Sequence, residues 1–154
     1  MTPRPSPPIP ALSRKVPLTH AGLEAAAALA GEHGVSVCTT ACYAPHQALS
    51  SAAIGAAYVA PYLGRIDDAA GRDGAEEVAL MQAALDRTRS PTRLLVASLR
   101  SAALLPALAA RGCDTFTFSP DVARELVADP MTAAAAAEFE RAAAAMGGGA
   151  DLAS

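Results

Sequence analysis

The chain is expected to fold as an α/β domain of parallel strands joined by helices. Two observations predict this. Short runs that are apolar on both faces recur along the sequence, and a helical stretch separates each run from the next, which is the pattern of parallel βαβ units with right-handed crossovers. No glycine-rich phosphate loop follows any of these runs, which weakens the nucleotide-binding version of the class. Periodicity alone leaves a doubly wound sheet and part of a (β/α)8 barrel both open.

Taken in order, residues 1–13, MTPRPSPPIPALS, form a proline-rich leader expected to populate polyproline II without packing. A short segment, Arg14 to Thr19, precedes a helix over Ala21 to His33, with Thr19 or His20 as its cap and Gly34 as its stop. VSVCTTAC, Val35 to Cys42, is rich in β-branched and small residues and predicts a strand; a helix follows from Pro45 to Ile54, ended by Gly55. The next strand is expected over Ala57 to Leu63. A helix over Gly74 to Arg87 places Val78, Met81 and Leu85 on one face. LLVAS, Leu94 to Ser98, predicts a further strand, followed by a helix over Ala102 to Ala110 that stops at Gly112. Thr115 to Phe118 is the last strand, and helices over Pro120 to Val127 and Met131 to Met146 lead into a glycine-rich tail, 147–154.

Composition bounds the function. With 154 residues, 52% hydrophobic and 18% charged, the chain is built to bury one core, although alanine runs such as Ala25 to Ala28 and Ala133 to Ala137 bury little area per residue. A net charge of -3 gives no footprint for nucleic acid. No apolar stretch is long and uncharged enough to predict a membrane span, so a cytoplasmic protein is expected. Cys38, Cys42 and Cys113 are odd in number and lack the remaining ligands of a zinc site, so they are expected to be free buried thiols; no metal is implied.

Lys15 is the only lysine in the chain. An amine that adds to a carbonyl does a job that arginine cannot do. From the count alone, an ordinary surface lysine is an equally good reading.

Lys15-Val16-Pro17-Leu18-Thr19 followed by Gly22 resembles the segment of transaldolases and fructose-6-phosphate aldolases that carries the Schiff-base lysine on the fourth barrel strand. Thr40-Ala41-Cys42-Tyr43 with Gln47 is similar to the family's strand-five motif. Tyr58-Val59-Ala60-Pro61-Tyr62-Leu63-Gly64-Arg65-Ile66-Asp67 is similar to the strand-six motif and is the most specific match. Leu94 to Arg100 resembles strand seven, and Asp114 to Asp121 resembles strand eight with the start of its helix.

The resemblance implies a partial TIM barrel, strands four to eight with their helices over 14–146, lacking strands one to three. It implies Lys15 as the imine-forming amine, Thr40 as the holder of a catalytic water, and Tyr62 as either a proton donor or a pocket wall. Arg65, Ser98 and Arg100 match positions that bind a substrate phosphate, where planar guanidinium groups suit a dianion; a surface ion pair is the plainer alternative for each arginine, for Arg65 with Asp67 or Asp68. The implied activity is that of a class I aldolase or transaldolase on phosphorylated ketoses in pentose phosphate metabolism, with no organic cofactor. The competing reading is a non-catalytic phosphosugar-binding or subunit-interaction remnant. An open half-barrel exposes strand edges, so the expected partner is a second copy of the chain or a polypeptide that completes the barrel.

Overall fold

A computed structural model of the chain describes residues 14–69 and 71–147. The proline-rich leader, 1–13, and the end of the glycine-rich tail, 148–154, lie outside the described residues. The chain divides into two compact units, one ending at Phe118 and one starting at Ser119.

In the first unit the strands are β1 (Arg14–Pro17), β2 (Val37–Cys42), β3 (Tyr58–Pro61), β4 (Arg93–Leu94), β5 (Val96–Leu99) and β6 (Phe116–Phe118). The helices are α1 (His20–Gly31), α2 (Pro45–Ala53), α3 (Leu63–Asp67), α4 (Gly74–Arg87) and α5 (Leu104–Ala110). Every pairing is parallel: β1 with β2, β2 with β3, β3 with β4, and β5 with β6.

The strand predicted over Leu94 to Ser98 is divided into β4 and β5 because it serves two neighbours. Successive backbone amides point to opposite sides of a strand. Leu95 N donates to Val59 O at 2.9 Å, whereas Val96 N donates to Thr115 O at 3.0 Å. A parallel bridge between Tyr62 and Ala97 carries the contact with the preceding strand further. The segment 93–99 therefore stands between β3 and β6, and neighbours follow chain order throughout. A doubly wound sheet would reverse direction at a switch point. Here it does not, so the architecture is α/β with parallel strands consistent with part of a TIM barrel; among the described residues no ladder closes it.

Right-handed crossovers between strands in sequential order place the helices on one face of the sheet. The register identifies that face: Val16, Thr39, Val59 and Leu94 align across four strands. Thr39 is buried, and its hydroxyl bonds Ser51 of α2 at 2.7 Å. The core fills the space between sheet and helices with Val59, Leu63, Ile66, Val78, Met81, Leu85, Leu94 and Leu108. Alanine dominates the composition, but these larger chains carry the apolar burial.

Helix boundaries follow local chemistry. Thr19 caps α1, its hydroxyl accepting from Gly22 N at 3.0 Å. Asp73 caps α4 by accepting from Ala75 N and Glu76 N. The predicted span of α4 is the observed one, whereas the predicted helix from Ala102 begins only at Leu104. The short helix α3 departs from expectation: the strand predicted to run to Leu63 stops at Pro61, and the chain turns at once into a helix that buries Leu63 and Ile66, three residues apart. Gly22 sits where α1 crosses β1, and a β-carbon there would collide with the Pro17 carbonyl. This close approach calls for glycine.

The second unit holds α6 (Pro120–Glu125), capped by Ser119, and α7 (Pro130–Ala145), capped by Asp129. α7 buries no residue, and Met131, Phe139 and Met146 are exposed. No helix among the described residues is long and apolar enough to cross a membrane.

Two stability predictions follow from this packing. Leu85→Ala, at a fully buried position of α4, should cost about 2–5 kcal/mol in urea unfolding, while Leu80→Ala on the same helix, at a position 58% exposed, should stay within about 0.5 kcal/mol. Gly22→Ala should cost about 1–3 kcal/mol, because α1 or β1 has to shift to admit the methyl group.

Candidate active site

Thr39 points toward the helices, so Thr40, the next residue of β2, points the other way. Thr40 pairs with Pro17, and Lys15 lies two residues before Pro17 on β1. Paired residues and residues two apart share a face, which puts Lys15 and Thr40 together on the side opposite the helices. Lys15 is exposed, and it aligns with Cys38 across the ladder. Burial pushes the Cys38 thiol up, and the charge on Lys15 opposes that shift, as expected for neighbours on one face.

After Thr40 the register of β2 against β3 shifts, and Ala41 takes a left-handed conformation with φ 56°. The β2 chain rejoins the next segment at Cys42, whose carbonyl accepts from Tyr62 N at 3.1 Å. This brings the end of β3 alongside, so that Thr40 Oγ1 and the Tyr62 hydroxyl form a 2.8 Å hydrogen bond. Tyr62 is held from two further sides. The Tyr43 ring packs edge-on at 5.8 Å between centroids, and the Arg65 guanidinium lies 4.9 Å from the centre of the Tyr62 ring. A cation over an aromatic face is attracted by the ring quadrupole. Arg65 Nη1 also donates to the Tyr43 hydroxyl at 3.4 Å, which is the main reason its pKa rises and its charge is secure.

Tyr43 is itself anchored. Gln47 reaches back from α2 to accept from Tyr43 N at 2.7 Å and Ala44 N at 3.1 Å. Arg72 donates from Nη2 to the Tyr43 carbonyl and from Nε to Glu77 at 3.2 Å, tying the chain after β2 to the start of α4. Asp67 accepts from Gly74 N at 2.7 Å and joins α3 to that same start.

Ser98 lies one residue before the end of β5, and Arg100 directly follows it. Ser98 is half-buried and left-handed, with φ 60°, a conformation costly for a residue with a side chain. A β-carbon at Gly64 would lie 2.5 Å from the Ser98 carbonyl and 2.8 Å from Arg100 Nε, so β5 and α3 meet closely at this glycine. Arg100 forms a two-point ion pair with Asp68, Nη1 to Oδ1 at 2.8 Å and Nη2 to Oδ2 at 2.6 Å. The pair holds the Asp68 carboxyl below its ordinary range, with Arg65 adding a smaller pull in the same direction.

The fold thus joins Thr40, Tyr62 and Arg65 through direct contacts, sets Ser98 and Arg100 against α3, and places Lys15 on the face of Thr40. The ion pair considered for Arg65 with Asp67 or Asp68 is replaced by that of Arg100 with Asp68, because Asp68 at the end of α3 faces the chain leaving β5. Tyr43, Asp68 and Arg72 were not among the expected site residues. Tyr43 stood inside the strand-five motif and could have been found there; Arg72 carried no local signal. The cysteines offer no competing nucleophile, since burial holds the Cys42 and Cys113 thiols up at about 11.

Comparison with known proteins places the chain. A flavocytochrome b2 mutant bound to benzoylformate has a TM-score of 0.51 at 11% identity over 62% of this chain and 26% of its own, a likeness of fold alone. A probable transaldolase of Caulobacter sp. (strain K31) is 41% identical over 118 residues, 77% of this chain and 54% of the relative. One from Rhodospirillum centenum (strain ATCC 51521 / SW) is 38% identical over 131 residues, 84% of this chain and 56% of the relative. The chain spans about half the length of these curated relatives. The model of the transaldolase/fructose-6-phosphate aldolase family matches residues 12–151, and the chain belongs to that family.

Proposed function

We propose that the chain carries the imine-forming and phosphate-binding parts of a class I aldolase or transaldolase that acts on phosphorylated ketoses such as fructose 6-phosphate, in pentose phosphate metabolism in the cytoplasm. In this reading residues 14–146 are a barrel portion: β1, β2, β3, the β4 and β5 segment, and β6 stand for the fourth to eighth strands. The observation that carries the reading is that the register sets the only lysine on the same sheet face as the hydrogen-bonded Thr40 and Tyr62 hydroxyls.

The chemistry follows from those groups. The unprotonated Lys15 amine adds to the ketose C2 carbonyl, and the carbinolamine loses water to give a protonated imine, with proton transfers through the linked hydroxyls of Thr40 and Tyr62 or a water they hold. The imine draws electrons from the C3 to C4 bond as the C4 hydroxyl proton leaves to a base. The bond breaks, an aldehyde departs, and an enamine remains on the lysine. Protonation and hydrolysis of the enamine release dihydroxyacetone; addition to another aldehyde, followed by hydrolysis of the new imine, completes a transfer and frees Lys15. The 2.8 Å bond between the two hydroxyls supports a proton-handling role for Tyr62 over that of a mere wall. Arg65, Ser98 and Arg100, at or just beyond the C-terminal ends of their strands, would grip the phosphate, in the position where barrel sites gather.

Incubation of the chain with fructose 6-phosphate or dihydroxyacetone and borohydride should leave a reduced adduct on the peptide that contains Lys15, read by mass spectrometry, and Lys15→Arg should abolish it. Retained ligand binding without any adduct would instead favour a non-catalytic phosphosugar-binding protein. Arg65→Gln should weaken binding of fructose 6-phosphate about tenfold or more while leaving dihydroxyacetone within about twofold, since a charge-assisted hydrogen bond contributes about 1.5–3 kcal/mol and only the first ligand carries a phosphate. An equal loss for both ligands would argue against a phosphate anchor.

A further inference from the structure

We propose that the Asp68 carboxylate is an internal stand-in for the ligand's phosphate: it occupies the guanidinium fork of Arg100 in the empty site, yields it to a phosphate dianion, and withholds it from weaker anions. Resting on the reading of Arg65 and Arg100 as phosphate anchors, this assigns to Asp68 a part in choosing the ligand.

The geometry is that of an anion already bound. Two parallel N–H to oxygen bonds, 2.8 and 2.6 Å, join the guanidinium to the carboxylate, the same two-point arrangement that a phosphate offers. Asp68 directly follows α3, and its backbone N–H still donates to the Gly64 carbonyl, so the short helix fixes its place one turn beyond Gly64 and Arg65. Gly64 leaves room for Arg100 to lie across the helix, since a β-carbon there would sit 2.8 Å from Arg100 Nε. The carboxylate feels both Arg100 and Arg65, which places it within the field of the two cations assigned to the phosphate.

The pair is also exchangeable. Both side chains are 57% exposed, and water competes for a contact of this kind. A phosphate monoester near pH 7 carries a charge of about -1.5 to -2 and three acceptor oxygens. It can engage Arg100 and Arg65 together and displace a carboxylate that holds only Arg100. An incoming monocarboxylate replaces one carboxylate by another and gains nothing at Arg100, and a neutral hydroxyl loses the charge. Asp68 thereby raises the threshold for every anion but sets aside the dianion as the one that passes.

The test is titration of the full chain with inorganic phosphate and with gluconate at low ionic strength, by calorimetry, for the unaltered protein, Asp68→Asn and Asp68→Ser. Both variants should bind phosphate about three- to tenfold more tightly, by loss of the competing carboxylate, and gain gluconate binding at least threefold. Unchanged unfolding midpoints show that the variants are folded. If Asp68 merely holds Arg100 in place, the sign reverses, and weaker or unchanged phosphate binding in both variants overturns the proposal. Arg100→Gln and Arg65→Gln separate the two levels. If they weaken phosphate binding while the Asp68 variants do not tighten it, the anchors stand and the stand-in falls. If the arginine variants bind phosphate as the unaltered chain does, or if neither the unaltered chain nor the Asp68 variants bind it, the anchor reading falls and the stand-in with it.

Discussion

In a parallel sheet, residues paired in register stand on the same face, and the ladder of β1 on β2 commits Lys15, Pro17, Cys38 and Thr40 to one side and Val16 and Thr39 to the other. Slipping this ladder by one residue would turn the amine toward the helices and the valine toward the site. The burial of Thr39, with its hydrogen bond to Ser51, and the close seat of α1 on β1 at Gly22 resist such a slip. Which side chains stand on the open face thus depends on packing on the covered one.

The five-residue helix α3 concentrates most of the remaining polar groups. Leu63 and Ile66 pin it to the core, and the positions between and beyond them are left for other work. Gly64 admits β5 and Arg100, Arg65 lies over Tyr62, Asp67 ties the start of α4, and Asp68 pairs with Arg100. A longer strand in place of this helix, as the apolar run from Ala57 to Leu63 suggests, would alternate these side chains between two faces and scatter them. Of the left-handed non-glycine residues, Ala41 and Ser98 bracket the strand that feeds α3, whereas Arg89 lies in the turn after α4.

A network of hydrogen bonds surrounds this helix. Tyr43 receives Gln47 and Arg72 at its backbone and Arg65 at its hydroxyl, so α2, α3 and the loop before α4 converge on one aromatic residue. Tyr62 is set between that residue and Thr40. Such second-layer contacts restrict the rotamers of the groups that would meet a substrate, and positioning within fractions of an ångström is what makes a hydroxyl or guanidinium effective.

Much of the fold was legible in the sequence because its signals are local. The alternation of apolar runs with helical stretches, the cap at Thr19, and the stop after Arg87 depend on residues a few positions apart, and the structure places these elements within a few residues of expectation. The motif residues around Lys15, Thr40, Tyr62 and Arg65 were likewise recognisable as strings. Tertiary structure alone decided that Arg100 pairs with Asp68, 32 residues away, that Thr40 meets Tyr62 across 22, and that the segment 93–99 serves two neighbours. Each of these depends on strand order, on the register shift at Ala41 and on the turn into α3. The physical reason is that periodicity and capping are fixed by neighbours along the chain, whereas the partner of a side chain is fixed by which backbones the sheet brings together.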